Sequence, residues 1–465
     1  MGFEGPDGSS LDHWPTLIAS DGDRLAFGPH ALAWAAEGWA VYRDLKRDLG
    51  AGRASVSIGG TSRSVVSLLG AYVAALAHAL RTASSCPLPG GADEPLHVML
   101  AVPAGASSAQ RMHTFDAFVA AGFLVEGLLN EPSAAGLEYA DRYPKTVTSN
   151  REDVLIYDFG GGTFDVSLVR MGGGTHAVRD HAGDNRLGGA DFDAVLLKLA
   201  LDEAGVDATG WSVDDRAAAL ERARQAKESI HANTRRVSVE VADAVVSLPV
   251  SALYTAVAPL LAQALDTVRR VLPEGSADGL AGVYVVGGAS ELPIVARGLR
   301  EVFGRRVKRS PYASAATAVG LAIATDRGAP AVAERFSRTF GVFRERDGGA
   351  GVVFDPILSP GASAVELRRY RAAHNVGVYR FAECERVVGA EPVGGLTPWE
   401  PVRVPFLPGL PADLSGVSPQ RLSEPGPEIE ERYSVGPDGI VEVTIANLGS
   451  GRAVSRRFAA DAPGG

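Results

Sequence analysis

Residues 154–167 read Val-Leu-Ile-Tyr-Asp-Phe-Gly-Gly-Gly-Thr-Phe-Asp-Val-Ser: an apolar strand ending in a carboxylate, a turn of three glycines and a hydroxyl, then a second strand. This is the outline of a β-hairpin that grips phosphate. Gly160, Gly161 and Gly162 carry no Cβ, so the backbone can turn tightly and several N–H groups can converge on one cluster of anionic oxygens. Thr163 adds a hydroxyl donor. Asp158, at the carboxyl end of the first strand, stands where a hydrated Mg2+ bridging phosphates would take a carboxylate, because that hard cation keeps its waters and accepts one or two such ligands. A plain hairpin with a glycine turn has the same outline, so the neighbouring strings matter.

Asn130-Glu131-Pro132-Ser133-Ala134-Ala135 precedes the hairpin, and Gly183-Asp184-Asn185-Arg186-Leu187-Gly188-Gly189-Ala190-Asp191-Phe192-Asp193 follows it. Val283-Tyr284-Val285-Val286-Gly287-Gly288-Ala289-Ser290 comes later. In this order the strings resemble the nucleotide-binding domain of the heat-shock protein 70 chaperone family, part of the actin and sugar-kinase superfamily, from about Pro15 to Ala324. The resemblance implies an α/β, actin-like, two-lobed ATPase domain that takes ATP or ADP with Mg2+. It also implies a following β-domain for unfolded or extended peptides, and co-chaperones as further partners.

Composition frames this reading. The 465 residues allow roughly three domain-sized units. A net charge of −10 and a pI near 5.5 argue against nucleic acid or an anionic membrane as principal partner. The basic cluster Arg305, Arg306, Lys308 and Arg309 reads as a solvated strand edge. Cys86 and Cys384 are too few and too isolated for a disulfide framework or a metal site, which suits a reducing cytoplasm. The chain starts with Glu4 and Asp7 where a signal peptide would be basic. The most apolar run, Val65 to Leu80, carries Ser67 and His78 and falls short of a membrane span, so it reads as a packed helix.

Along the chain, strand-like runs (Leu17 to Ala19, His97 to Val102, Val154 to Asp158, Val283 to Val286) alternate with helical ones (Val65 to Leu80, Asp191 to Glu203), which is α/β patterning. The expected nucleotide-binding domain is 1–326, with a subdomain inserted at about 205–250, where helical Trp211 to Ala232 is followed by alternating Val237 to Leu248. A linker is expected at 327–338 and a β-rich, peptide-binding-like domain at 339–465. In the latter, Glu428 to Val435, Pro437-Asp438-Gly439 and Ile440 to Ile445 read as a hairpin. No helical lid is expected after Phe458.

The resemblance assigns roles to individual residues. Glu131 would face the cleft and orient Mg2+ waters or the attacking water, and with Asp158 it forms the expected metal pair, since opposed carboxylates make sense chiefly with a cation between them. Lys46 would reach the γ-phosphate. The chain has only Lys46, Lys145, Lys198, Lys227 and Lys308 among 45 basic residues, so a lysine at this position is selective: its compact charge suits a crowded phosphate. Lys227 would touch the ribose, and Gly287, Gly288 and Ala289 the nucleoside and α-phosphate. Pro103 and Arg111 would relay nucleotide state to the partner domain.

The chain also departs from the family pattern. Arg224 stands where the family has Glu, His231 where it has Ser, and Glu291 where it has an adenine-stacking Arg. The family's first phosphate hairpin, Asp-Leu-Gly-Thr-Thr after an apolar strand, has no counterpart in Met1 to Trp14, where no strand of that kind is expected. Ala331 to Phe336 is unlike the family's apolar linker. The expectation is an amino-terminally truncated or degenerate, lidless heat-shock protein 70, in which Lys46, Glu131, Asp158 and Thr163 serve ATP hydrolysis. Two alternatives stay open: a degenerate nucleotide-binding or nucleotide-independent interaction protein, and a small-molecule kinase of the same superfamily.

Overall fold

The computed structural model describes residues 2–86, 94–171, 177–184, 186–242, 244–272, 276–326, 338–346, 351–359, 365–384, 386–389, 391–393, 396–436 and 440–458. The chain divides into two compact units: Met1–Ala104 with Asp116–Val332, and Gly105–Phe115 with Ala333–Gly465. Most of the expected linker, 327–337 including Ala331 to Phe336, lies outside the described residues. So do the 437–439 turn and the residues after Phe458.

The first half of the chain is built from small sheets. Strands β1 (Phe3–Glu4) and β2 (Ser10–Leu11) pair antiparallel as a hairpin of two-residue strands. The turn between them closes because the Asp7 carboxylate accepts the Ser9 N–H at 3.0 Å, and Glu4 N–H donates to the Ala83 carbonyl at 2.8 Å. Next come β3 (Ile18–Ser20), β4 (Leu25–Phe27), α1 (Pro29–Ala36), β5 (Ala40–Tyr42) and α2 (Leu45–Gly50). They are followed by β6 (Ser55–Ile58), β7 (Thr61–Ser64), α3 (Val65–Thr82), β8 (Leu96–Val102), α4 (Ser108–Ala120) and β9 (Phe123–Asn130). The sheet order β4-β3-β5 and the parallel pair β8-β9 stand apart, with no described strand joining them. Helix α3 alone among the described residues is long and apolar enough to cross a membrane, yet Val65, Leu68, Leu69, Val73 and Ala77 pack into a core with Ile18, Leu45 and Phe123.

The site rests on the sheet that follows. Its elements are α5 (Glu131–Arg142), β10 (Asp153–Phe159), β11 (Phe164–Arg170), β12 (Ala177–Asp184), α6 (Gly189–Ala204), α7 (Val213–Glu228), β13 (Arg236–Val241) and β14 (Ala244–Pro249). Helix α8 (Val250–Val271), β15 (Leu280–Val286), α9 (Pro293–Phe303), β16 (Val307–Arg309) and α10 (Ala316–Asp326) complete it. The sheet order is β12-β11-β10-β15-β16, with β10 and β15 parallel in the middle and the basic β16 at the edge, as its charge implies. Strand β10 is apolar on both faces because helices cover both. Its twofold period sends Leu155, Tyr157 and Phe159 into a core with α6 and α8, and Val154 and Ile156 into another with α5. Asp158 shares the parity of the second set, so its carboxylate is placed on the α5 face.

The second unit holds an all-β core. Strands β17 (Thr339–Arg346), β18 (Gly351–Leu358), β19 (Glu366–Arg371), β20 (Val376–Cys384), β21 (Arg386–Val388), β22 (Glu391–Val393), β23 (Thr397–Pro398), β24 (Val402–Pro405), β25 (Glu428–Val435), β26 (Val441–Asn447) and β27 (Arg452–Arg457) follow in order. One sheet is ordered β18-β17-β20-β23, with β24 also on β20, and another β19-β25-β26-β27. Phe340, Phe381, Ile429, Tyr433, Val443 and Phe458 join the two in one core. Within it Glu431, fully buried, accepts from Arg344 Nη2 at 2.7 Å, Tyr433 at 2.6 Å and Tyr370 at 2.7 Å. Burial alone would raise its carboxyl pKa, but Arg344 and the two phenols outweigh burial and hold it below the usual range.

Replacing Arg344 by Met should therefore strand a buried carboxylate and cost about 3–5 kcal/mol, because one half of a buried pair is removed. Calorimetry of the full chain should show the loss at pH 7. It should shrink as the pH falls through the lowered Glu431 pKa, where the wild-type pair itself loses the stability it gains above the unfolded carboxylate range.

Candidate functional site

The glycine turn between β10 and β11 is held from outside by its carbonyls. Gly160 O accepts from Gly189 N–H at 3.0 Å, Gly161 O accepts from Ala190 N–H at 2.7 Å, and Gly162 O accepts from the Arg47 guanidinium. The amides of Gly161, Gly162 and Thr163 donate to no acceptor among the described residues. A turn whose carbonyls are tied back and whose successive amides are free is an anion nest. Asp191 reinforces the outer support, accepting the Gly188 N–H at 2.7 Å and so fixing the start of α6 against the turn.

Close backbone approach needs glycine at two points. A Cβ on Gly188 would lie 2.6 Å from the Gly162 carbonyl carbon, and one on Gly287 would lie 2.4 Å from the Asp158 carboxylate and from Phe159 O. Gly287 also has φ 85°, in the left-handed region. The strings at 158–163, 188–189 and 287–289 thus converge, with Ala289 buried against Gly189 and Gly288 exposed.

Charge is concentrated beside the turn. Lys46, on α2, donates to Glu131 Oε2 at 2.8 Å. Glu131 opens α5, just before Pro132, and lines a small cavity with Asp158, Asp165 and Pro103. Asp158 and Asp165 face each other across the hairpin. Burial pushes the Asp158 pKa up to about 7, with Lys46 opposing and Glu131 and Asp165 adding to the rise. Burial likewise takes Asp165 up to about 6, with Lys46, and a hydrogen bond from Thr163, opposing. The Lys46 ammonium is raised: burial works against it, but Glu131 and Asp158 outweigh that. Among the described residues no three His, Cys, Asp or Glu side chains are placed to ligate one ion together. Mg2+ keeps most of its waters, so Asp158 and Glu131 would fit as its protein partners, and Asp158, disfavoured as a bare anion, is a carboxylate that a cation would stabilise.

The remaining sequence-assigned residues fall as follows. The Lys227 ammonium is buried, 2.6 Å from the Asp193 carboxylate, and donates to Gly189 O at 3.1 Å, so it braces the start of α6. Arg224 lies 3.0 Å from Glu221, which also pairs with Arg43 at 2.7 Å. Pro103 lines the cavity, whereas Arg111 belongs to the second unit, where it is buried and lies close enough to the buried Glu383 to lower its pKa. Sequence reasoning missed Asp165 and Arg47. Counting outward from the turn pairs Asp165 with Asp158, a signal present in the string itself; nothing local marks Arg47.

An α/β body with these strings around a glycine hairpin defines an actin-like ATPase-type fold. A family model described as Hsp70 protein matches residues 92–334. The chain belongs to the Hsp70 protein family. It is 29% identical over 379 residues to the chaperone protein HscA homolog of Pseudomonas fluorescens, a match covering 76% of this chain and 55% of the relative. It is 33% identical over 241 residues to the HscA homolog of Burkholderia pseudomallei, covering 50% of this chain and 38% of the relative. With the HscA homolog of an Acidovorax species it shares 34% identity over 231 residues, 48% of this chain and 36% of the relative. The chain spans about half the length, or less, of these curated relatives.

The raised carboxylates give a pH prediction. The folded chain holds protons on Asp158 and Asp165 that the unfolded chain releases near pH 4, so nucleotide-free stability should fall as pH rises from about 4 to 7. Asp158→Asn should stabilise the free protein at pH 8 by at least about 1 kcal/mol, the worth of one pKa unit, and by less at pH 5. Thermal melts across this range measure it; equal shifts at both pH values would refute the assignment.

Proposed function

We propose that the chain binds Mg-ATP and Mg-ADP, hydrolyses the γ-phosphate by a positioned water, and couples nucleotide state to the holding of extended peptide, as an Hsp70-type chaperone of the cytoplasm. The observation that carries this reading is the free amide set at Gly161, Gly162 and Thr163 beside Lys46, Glu131, Asp158 and Asp165. The amides and Gly288 would receive phosphate oxygens; Lys46 would answer charge on the terminal phosphate as a point cation. Glu131, fixed by Lys46, would orient the attacking water. Asp158 and Glu131 would hold Mg2+ through its waters, and the ion, when bound, neutralises phosphate charge. In the second unit, β19 stands at the edge of its sheet among the described residues, a position where an added peptide strand would pair. The HscA relatives, named as chaperones, support the reading.

A second reading, nucleotide binding without turnover, draws on the separation of β4-β3-β5 from β8-β9, which form two distinct sheets among the described residues. Calorimetry and single-turnover hydrolysis separate the two. Lys46→Met should lower the hydrolysis rate at least about 100-fold, the scale of removing one transition-state charge contact. Asp158→Asn should weaken Mg-dependent affinity more than Thr163→Val, whose lost donor is worth about 1–3 kcal/mol. Tight Mg-nucleotide binding with no turnover in the wild type would select the second reading; no binding at all would reject both.

A fluorescent apolar peptide should bind the full chain and compete with unlabelled extended peptide. Failure to bind at any nucleotide state would remove the chaperone part of the proposal while leaving the nucleotide part standing.

A further inference from the structure

Three basic side chains of one short segment reach three different elements. Arg43 pairs with Glu221 on α7 at 2.7 Å, Lys46 with Glu131 at the start of α5 at 2.8 Å, and Arg47 donates through Nη2 to the carbonyl of Gly162 in the glycine turn. Of these, Arg47 touches the turn itself. Its side chain is about one-third exposed, its nearest carboxylate, Asp44, is 3.8 Å away, and its Nε–H is buried beside the turn with no acceptor among the described residues. The guanidinium carbon and nitrogens lie 3.5–3.9 Å from where a Gly162 Cβ would be.

The support of the turn is uneven. Gly160 O and Gly161 O are held by backbone amides at the start of α6, which come with the fold. Gly162 O is held by one side chain from a distant part of the sequence. In the trans peptide unit from Gly162 to Thr163, that carbonyl and the Thr163 N–H lie in one plane and point in opposite directions, so fixing the carbonyl fixes the direction of the amide. A glycine has no Cβ to resist rotation of this unit. Without Arg47 the Thr163 amide would be free to turn away.

We infer that Arg47 is a positioning residue of the phosphate turn: it locks the Gly162–Thr163 peptide so that the Thr163 N–H stays directed with those of Gly161 and Gly162. Its unused Nε–H is a further donor for an anion held there. The inference rests on the proposed nucleotide reading for its consequence, and on the hydrogen bond to Gly162 for its geometry. A lysine keeps the charge but not the planar fork that bonds the carbonyl while presenting a second donor.

The test uses Arg47→Ala and Arg47→Lys in the full chain, with unchanged melting temperatures as the check on folding. In the nucleotide-free protein, amide hydrogen exchange of Gly160, whose N–H donates to the Thr163 carbonyl at 2.9 Å across the turn, should quicken about tenfold in both variants, with other amides of β10 and β11 unaffected. Mg-ADP affinity should fall about tenfold in Arg47→Ala and recover on adding millimolar methylguanidinium, while Arg47→Lys recovers little. Unchanged exchange in Arg47→Ala would overturn the inference, as would full function in Arg47→Lys, which would show that charge alone matters. If the wild type bound no nucleotide, the proposed function would fail, but the exchange result would still decide whether Arg47 holds the turn.

Discussion

Backbone packed directly on backbone is the constraint on which the site depends. Gly188 lies against Gly162 and Gly287 against Asp158 and Phe159, each at a distance that leaves no room for a β-carbon. Three segments far apart in sequence can therefore meet around the end of β10. Once they meet, the amides opening α6 bond the carbonyls of the turn, and the turn's own amides are released from internal pairing. An anion site made this way would be set by the main chain at Gly160 and Gly161, and by the Arg47 side chain at Gly162. Phe159 and Phe164, both fully buried, pin the hairpin to that sheet, each contributing about 1.5–3 kcal/mol of burial.

The electrostatics complete the picture. Three carboxylates, Glu131, Asp158 and Asp165, line the cavity beside a single ammonium, Lys46. Burial lifts Asp158 and Asp165 toward neutral pH instead of letting them relax as ordinary surface acids. An arrangement that is costly in isolation and relieved by added positive charge is characteristic of a functional site. The second unit shows the opposite economy: Glu431 is buried too, but Arg344 and two tyrosines satisfy it fully, and the result is a structural staple.

Much of this was legible in the sequence. The continuous apolar run of Val154 to Asp158 and the triple glycine predict β10 and its turn, the run Asp191 to Glu203 lies inside α6, and the family resemblance implies that the Gly188-Gly189 and Gly287-Gly288 strings serve the same site. Asp165 was readable from hairpin symmetry. Arg47 was not, because its partner is a carbonyl 115 positions away and any long cation could have taken the place. The ion pair of Lys227 with Asp193 was not legible, because it depends on how α7 lies against α6, which periodicity does not specify. The opening hairpin β1-β2 is too short to leave a strand pattern.

The central claim is that the free amides of Gly161, Gly162 and Thr163 receive phosphate. Nitrogen-15 correlation spectra of the full chain, titrated with Mg-ADP, test it most directly. The account predicts large downfield shifts of these three amide protons, with smaller changes at Gly288 and at the start of α6. Nucleotide binding that left the three amides unmoved while perturbing resonances elsewhere would contradict it.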